Sequence, residues 1–237
     1  MIQECPIIEL VGIPGCGKTT ATKYAVKQLE KDGMDVLFLN DLFLSKLELI
    51  KGSIRGWKSY SRPTIGERNA WKKYANSVSG VPLNIKKKID WIERLQFLYC
   101  YRAISELSYC YDVVIADQWI FQHAFSILHD QDMKEYLSDL KDLDSEVAAL
   151  FNGRYSIIKC DLTLEQNVKR IQNREQGQSV IDGMSVDKLS IICKLQINNI
   201  SNYSNGFLQI GCYNVDFNGN ERDCAETIIN TIKRIVR

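Results

Sequence analysis

The run Gly12-Ile13-Pro14-Gly15-Cys16-Gly17-Lys18-Thr19 constrains this chain more than any other feature. It fits the pattern G-x-x-x-x-G-K-[ST], and Thr20 doubles the threonine. The chemistry needs these residue types. Glycines let backbone N–H groups curl round an anion with no Cβ in the way. The helix that follows turns its positive N-terminal end toward the same point. A lysine in this position reaches the β- and γ-phosphates of a nucleoside triphosphate, and the threonine hydroxyl ligates Mg²⁺. The context agrees. The apolar run Pro6-Ile7-Ile8-Glu9-Leu10-Val11 reads as a strand, and Lys18 to Lys31 reads as a helix stopped by Asp32-Gly33. Gly12, Gly15, Cys16, Gly17, Lys18, Thr19 and Thr20 are therefore the expected nucleotide-binding residues, with ATP and Mg²⁺ as the ligands. Cys16 has two readings: a thiol activated by the helix end, or a space-filler whose N–H meets phosphate.

A loop of this kind sits between a strand and a helix, and the rest of the chain keeps that rhythm. Val36 to Leu39, Asp112 to Asp117, Tyr155 to Cys160 and Leu208 to Val215 read as four further strands. Between and after them lie helical patterns at 84–109, 133–151, 164–174, 186–200 and 225–236; Leu137, Leu140, Leu143, Val147 and Leu150 form the apolar stripe of one of them. Alternation of this sort predicts an α/β fold with a five-stranded parallel sheet and helices on both faces. The 237 residues read as one domain, with no repeat and no linker. The stretch 43–90 breaks the rhythm and reads as a basic insertion or lid.

That stretch is also where the charge collects. The whole chain carries a formal net charge of +1. Between Lys51 and Lys88 there are ten basic residues and one acid, Glu67, with Trp57, Tyr60, Trp71 and Tyr74 interleaved. Cations beside aromatics suit an anionic ligand bearing a ring, while a solvated surface loop is the plain alternative. The eight cysteines contain no C-x-x-C pair, and there are only two histidines, His123 and His129, which argues against a zinc site. No secretory leader and no run of about 18 apolar residues is visible, so a cytoplasmic chain with reduced thiols and no membrane span is expected.

Asp117 ends a strand beside the loop, at the crevice where such sheets hold ligands. It is read as a Mg²⁺-positioning group or a proton acceptor, the alternative being a helix N-cap. Trp119, Gln122 and His123 follow it and line either an acceptor pocket or the core of the next helix. Arg170 and Arg174 are four apart and share a helix face, either to neutralise a transferred phosphoryl group or as a solvated pair.

Several segments together resemble the P-loop nucleoside and nucleotide kinases, most closely the thymidylate kinase branch. They are Thr19-Thr20, Leu95 to Ala103, Val113 to Trp119, Val168 to Arg174 and Asn214 to Asn220. The resemblance covers about 1–42 and 90–237. It implies a kinase fold and strand order, ATP-dependent transfer to a small acceptor, a lid carrying Arg170 and Arg174, an acceptor-gripping Arg102, and an adenine-packing loop after the last strand. There are departures. Gln118 stands where the branch has an arginine, and Asn40-Asp41-Leu42 stands where it has Arg-Glu-Pro. The expected acceptor is small and anionic, with Arg102, Gln118, Trp119 and Gln122 as its candidate contacts. A sugar, a lipid head group or an antibiotic stays open as the acceptor. So does a module in which nucleotide controls binding of nucleic acid or another anionic polymer, and so does a homodimer.

Overall fold

A computed structural model describes residues 5–40, 110–117, 119–122, 137–173, 181, 183–205 and 209–237. The apolar run before the glycine motif forms β1 (Ile7–Val11), and every one of its residues is buried. A strand with no exposed residue along its length is covered on both faces, as the inner strands of a parallel sheet are. Its two neighbours supply the ladder. β3 (Val113–Ala116) pairs parallel to it with Ile8 opposite Ile115, and β4 (Tyr155–Asp161) pairs parallel with Ile8 opposite Ser156. β2 (Val36–Phe38) lies outside β3, and β5 (Gly211–Asp216) outside β4. The sheet is thus parallel throughout, in the order β2-β3-β1-β4-β5, and all five carboxyl ends lie on one side. The fold class is α/β, as the alternating pattern predicts.

Helices cover the sheet through apolar stripes at helical spacing. α1 (Lys18–Lys31) buries Ala21, Ala25 and Leu29. It packs against the closing helix α5 (Glu221–Val236), which buries Cys224, Ala225, Ile228, Ile229 and Ile232. Gly33, at φ 86°, ends α1 in the left-handed conformation that a glycine adopts without a Cβ penalty. Asn220 starts α5 by accepting from the N–H groups of Arg222 and Asp223 at 2.9 and 3.0 Å. Asp223 returns a bond to the Asn220 N–H, completing a capping box. α2 (Leu137–Leu150) precedes β4 and buries Val147 in the main core. α3 (Leu164–Asn173) and α4 (Val186–Ser204) share a smaller cluster of Val168, Ile171, Ile181, Leu189 and Cys193.

The element ends differ from the sequence expectations in several places, and the closing helix begins at Glu221, four residues before the expected start at Ala225. The second strand stops at Phe38, and Leu39 and Asn40 turn into a short 3₁₀ step. The last strand begins at Gly211 rather than near Leu208. The helix from Val186 runs on to Ser204, four residues past the expected end. The helix expected over 84–109 and the insertion at 43–90 lie outside the described residues.

Candidate nucleotide site

The loop between β1 and α1 takes the shape its glycines permit. Gly15 and Gly17 have φ values of 80° and 93°. A Cβ on Gly15 would sit 2.4 Å from Ile171 Cγ1, so the position admits no side chain as it stands. The first intrahelical bond runs from Ala21 N–H to Gly17 O at 3.0 Å, and no side chain caps the helix. The N–H groups of Lys18, Thr19 and Thr20 therefore precede the helical ladder, where an anion is the natural acceptor. Thr19 and Thr20 are exposed, but Lys18 is buried. Its ammonium donates to Gly12 O at 2.6 Å and Ile13 O at 3.2 Å, and reaches Cys16 Sγ at 3.5 Å.

α3 holds the outer rim of this loop. Asn167 Nδ2 donates to Pro14 O at 2.8 Å. Arg170 Nη1 donates to Cys16 O at 2.6 Å. In a trans peptide the N–H points opposite to the carbonyl. With the carbonyls of Pro14 and Cys16 drawn toward α3, the N–H groups of Gly15 and Gly17 face away from it. Arg170 has a second task. Its Nη2 donates to Phe217 O at 2.8 Å and Gly219 O at 2.7 Å, so one guanidinium joins the glycine loop to the turn between β5 and α5.

The carboxyl end of β3 brings a second set of groups to the loop. Asp117 is fully buried, and Asn40 at the end of β2 donates its amide to Asp117 Oδ1. The Asp117 N–H in turn meets Asn40 Oδ1 at 3.4 Å. Asp117 Oδ2 is buried with no hydrogen-bond partner among the described residues. Beyond Asp117 the chain turns into a helical step starting at Ile120. Gln122 lies on that step, and its Oε1 accepts the N–H of Gly12 at 2.9 Å. The step is in turn held by Glu9, a carboxylate in the middle of β1. Glu9 accepts the N–H groups of Trp119 (3.0 Å), Phe121 (3.0 Å) and Gln122 (2.9 Å), and the Tyr155 hydroxyl at 2.5 Å. Burial pushes its carboxyl above the usual range, against the opposing pull of Tyr155 and the three N–H groups.

The structure therefore brings together Gly12, Gly15, Cys16, Gly17, Lys18, Thr19, Thr20, Asp117, Gln122 and Arg170 around one loop. It places Trp119 in the core, 3% exposed, with its ring 5.6 Å from Phe151 and 5.7 Å from Tyr155. Arg102, Gln118 and Arg174, and the basic stretch 51–88, lie outside the described residues. Sequence reasoning missed Glu9, Asn40 and Asn167. For Glu9 a signal existed: a lone carboxylate in an apolar strand has to find donors, because an unpaired buried charge is too costly. Asn40 and Asn167 carried no local signal. Three thiols also lie near the loop: Cys16, Cys160 and Cys224 are each buried, and burial raises the Cys160 and Cys224 thiols above their ordinary range. Among the described residues no group of three or more His, Cys, Asp or Glu could hold a metal by itself, and no helix is long and apolar enough to cross a membrane.

No family model and no curated protein matches the chain. Solved structures do. A shikimate kinase from Bacteroides thetaiotaomicron is 12% identical, with TM-score 0.48 and 98% of each chain covered. A gluconokinase from Sinorhizobium meliloti 1021 is 11% identical, with TM-score 0.44, covering 99% of this chain and 95% of its own. A deoxyadenosine kinase from M. mycoides, solved with dCMP and a flexible dCDP bound, is 15% identical, with TM-score 0.45, covering 97% of this chain and 99% of its own. The functional reading rests on the site itself.

Proposed function

We propose that this chain is an ATP- and Mg²⁺-dependent phosphotransferase of the P-loop kinase type, acting on a small acceptor. The observation that carries the reading is the pairing of an uncapped, glycine-shaped loop at Gly12 to Thr19 with a buried carboxylate, Asp117, at the end of the adjacent strand. Lys18 leaves the carbonyls of Gly12 and Ile13 and offsets charge on the β- and γ-phosphate oxygens. The N–H groups at the start of α1 bind the same oxygens.

The donor set suits Mg²⁺, which takes few protein oxygens and keeps most of its waters. Thr19 offers an exposed hydroxyl, and Asp117 Oδ2 is an oxygen without another partner among the described residues. These two residues would hold the ion. When bound, it supplies electrostatic stabilisation of the phosphate oxygens. Asn40 keeps the other Asp117 oxygen occupied and its carboxylate oriented.

The acceptor enters from the side of 43–122 in this reading. Arg102, Gln118 and Gln122 are assigned to it, and Arg170 and Arg174 to the lid. Arg170 acts mainly by position, since its guanidinium is committed to three carbonyls. The 51–88 cations favour an anionic acceptor, a nucleoside monophosphate or a sugar acid rather than a neutral sugar. They also favour a second reading, in which nucleotide binding controls the grip on an anionic polymer. The two separate by experiment. Incubation with γ-labelled ATP and a panel of nucleosides, nucleotides, sugars and sugar acids yields a labelled small product in the first. In the second it yields none, and oligonucleotide binding falls steeply with salt.

A further inference from the structure

We propose that Glu9 is a positioning residue that ties the phosphate loop to the Asp117 turn, through one buried carboxylate and the Gln122 side chain. This inference rests on the phosphotransferase reading for its functional consequence, but its structural content stands alone. Glu9 sits in the middle of β1, 0% exposed, in a strand whose other residues are all apolar. Nothing about a sheet core calls for a carboxylate there. Its two oxygens meet four donors. Oε1 takes the N–H groups of Trp119 and Gln122, and Oε2 takes the Phe121 N–H and the Tyr155 hydroxyl. A carboxylate is acceptor-only with about four lone-pair sites, so four donors match its ionised form.

The three N–H groups belong to the step that follows Asp117 and opens a helical turn, and each donates to an acceptor on β1. Glu9 supplies that acceptor from a strand more than 100 residues away in the chain. The turn then hands the constraint back to β1. Gln122 N donates to Glu9 Oε1 and Gln122 Oε1 accepts from Gly12 N, so the two ends of one residue bridge Glu9 and the first glycine of the loop. Glu9 and Gly12 are three residues apart on the same strand-to-loop segment. The segment and the Asp117 turn therefore clamp each other at two points. Movement of the acceptor-side turn is transmitted to the loop entry, and the reverse.

The decisive variant is Glu9→Gln. Oε1 is kept, but an NH₂ group then faces the buried Phe121 N–H, which loses its acceptor. Amide hydrogen exchange by mass spectrometry on the full chain reads the consequence without any need for activity. Exchange should speed up by about tenfold in peptides covering 117–122 and 10–17, and by less than about twofold in 221–236, which lies in the α1–α5 layer. Affinity for Mg²⁺-ATP, by titration calorimetry, should fall about fivefold or more, since a loop that must be ordered on binding binds more weakly. Unchanged exchange at 117–122, uniform acceleration across all three regions, or unaltered Mg²⁺-ATP affinity each overturns the proposal. If Glu9→Gln does not fold, Tyr155→Phe decides the question by removing one donor alone. The same two peptides should then speed up by about threefold with 221–236 steady, and no local change counts against the anchor. Should the unaltered chain fail to bind Mg²⁺-ATP, the phosphotransferase reading falls, while the exchange pattern still judges the anchor.

Discussion

The side-chain amide of Asn40 donates to Asp117 Oδ1 between the carboxyl ends of β2 and β3, joining residues 77 positions apart. The register leads up to it, since Phe38 lies opposite Ile115 two positions earlier. The pair fills one oxygen of a buried carboxylate and leaves the other without a hydrogen-bond partner among the described residues. Asn40→Ala removes that donor from a buried carboxylate. Phosphotransfer should fall about tenfold or more with the fold retained, because the cost appears where the carboxylate must be held in place. Steady-state kinetics and a thermal melt check it, and full activity would leave Asn40 without a role.

Lys18 is stored on the loop's own carbonyls, at 2.6 Å from Gly12 O. Lys18→Ala should abolish most ATP turnover, by about a hundredfold or more, while a cooperative melt persists. Wild-type turnover in this variant would refute the loop assignment.

Arg170 makes three bonds to carbonyls on two different segments. Arg170→Ala should cost about 2 kcal/mol, seen as a drop of about 6 °C in Tm for a chain of this size. Arg170→Lys should recover less than half of that, because an ammonium lacks the planar fork that reaches both segments. Equal melting of both variants would contradict the stitching role.

The thiols give a pH-dependent test. Burial, with the nearby Asp161 and Asp144 charges, pushes the Cys212 thiol up to about 11 against the opposing effect of Lys159. A thiol is nucleophilic as its thiolate, so at pH 8 Cys212 should alkylate about a hundredfold more slowly than a thiol at the ordinary value, and speed up as pH rises toward that value. Cys160 and Cys224 are buried and pushed up in the same direction. Cys110 is exposed. Iodoacetamide labelling of the native chain with peptide mapping should find Cys110 modified first among these four. Fast labelling of Cys160 would contradict the packing beneath the loop.

Much of the fold was legible because its signals are local. The loop is eight consecutive residues, and β1, β3 and β4 are short apolar runs whose observed ends fall within one residue of the expected ones. The end of β2 was less so: Leu39 continues the apolar run, but the chain must turn at Asn40 to reach Asp117. The site's supports were not legible, because each one joins distant parts of the chain. Asn167 meets Pro14 across 153 positions and Arg170 meets Cys16 across 154. No periodicity encodes such a pair. Arg170 was read from its spacing to Arg174, whereas its observed partners are backbone carbonyls that a sequence does not display. Trp119 follows the strand-ending Asp117 and reads in the sequence either as a pocket wall or as core; its ring packs on Phe151 and Tyr155.

The most direct test of the account follows the γ-phosphoryl group itself. Purified chain is incubated with Mg²⁺ and γ-labelled ATP, with nucleosides, nucleoside monophosphates and sugar acids supplied one at a time, beside Lys18→Ala. The account predicts ADP formed in step with one labelled acceptor, lost without Mg²⁺ and reduced about a hundredfold or more in Lys18→Ala. No Mg²⁺-ATP binding by the unaltered chain, or ADP released at the same rate by both proteins, would contradict it.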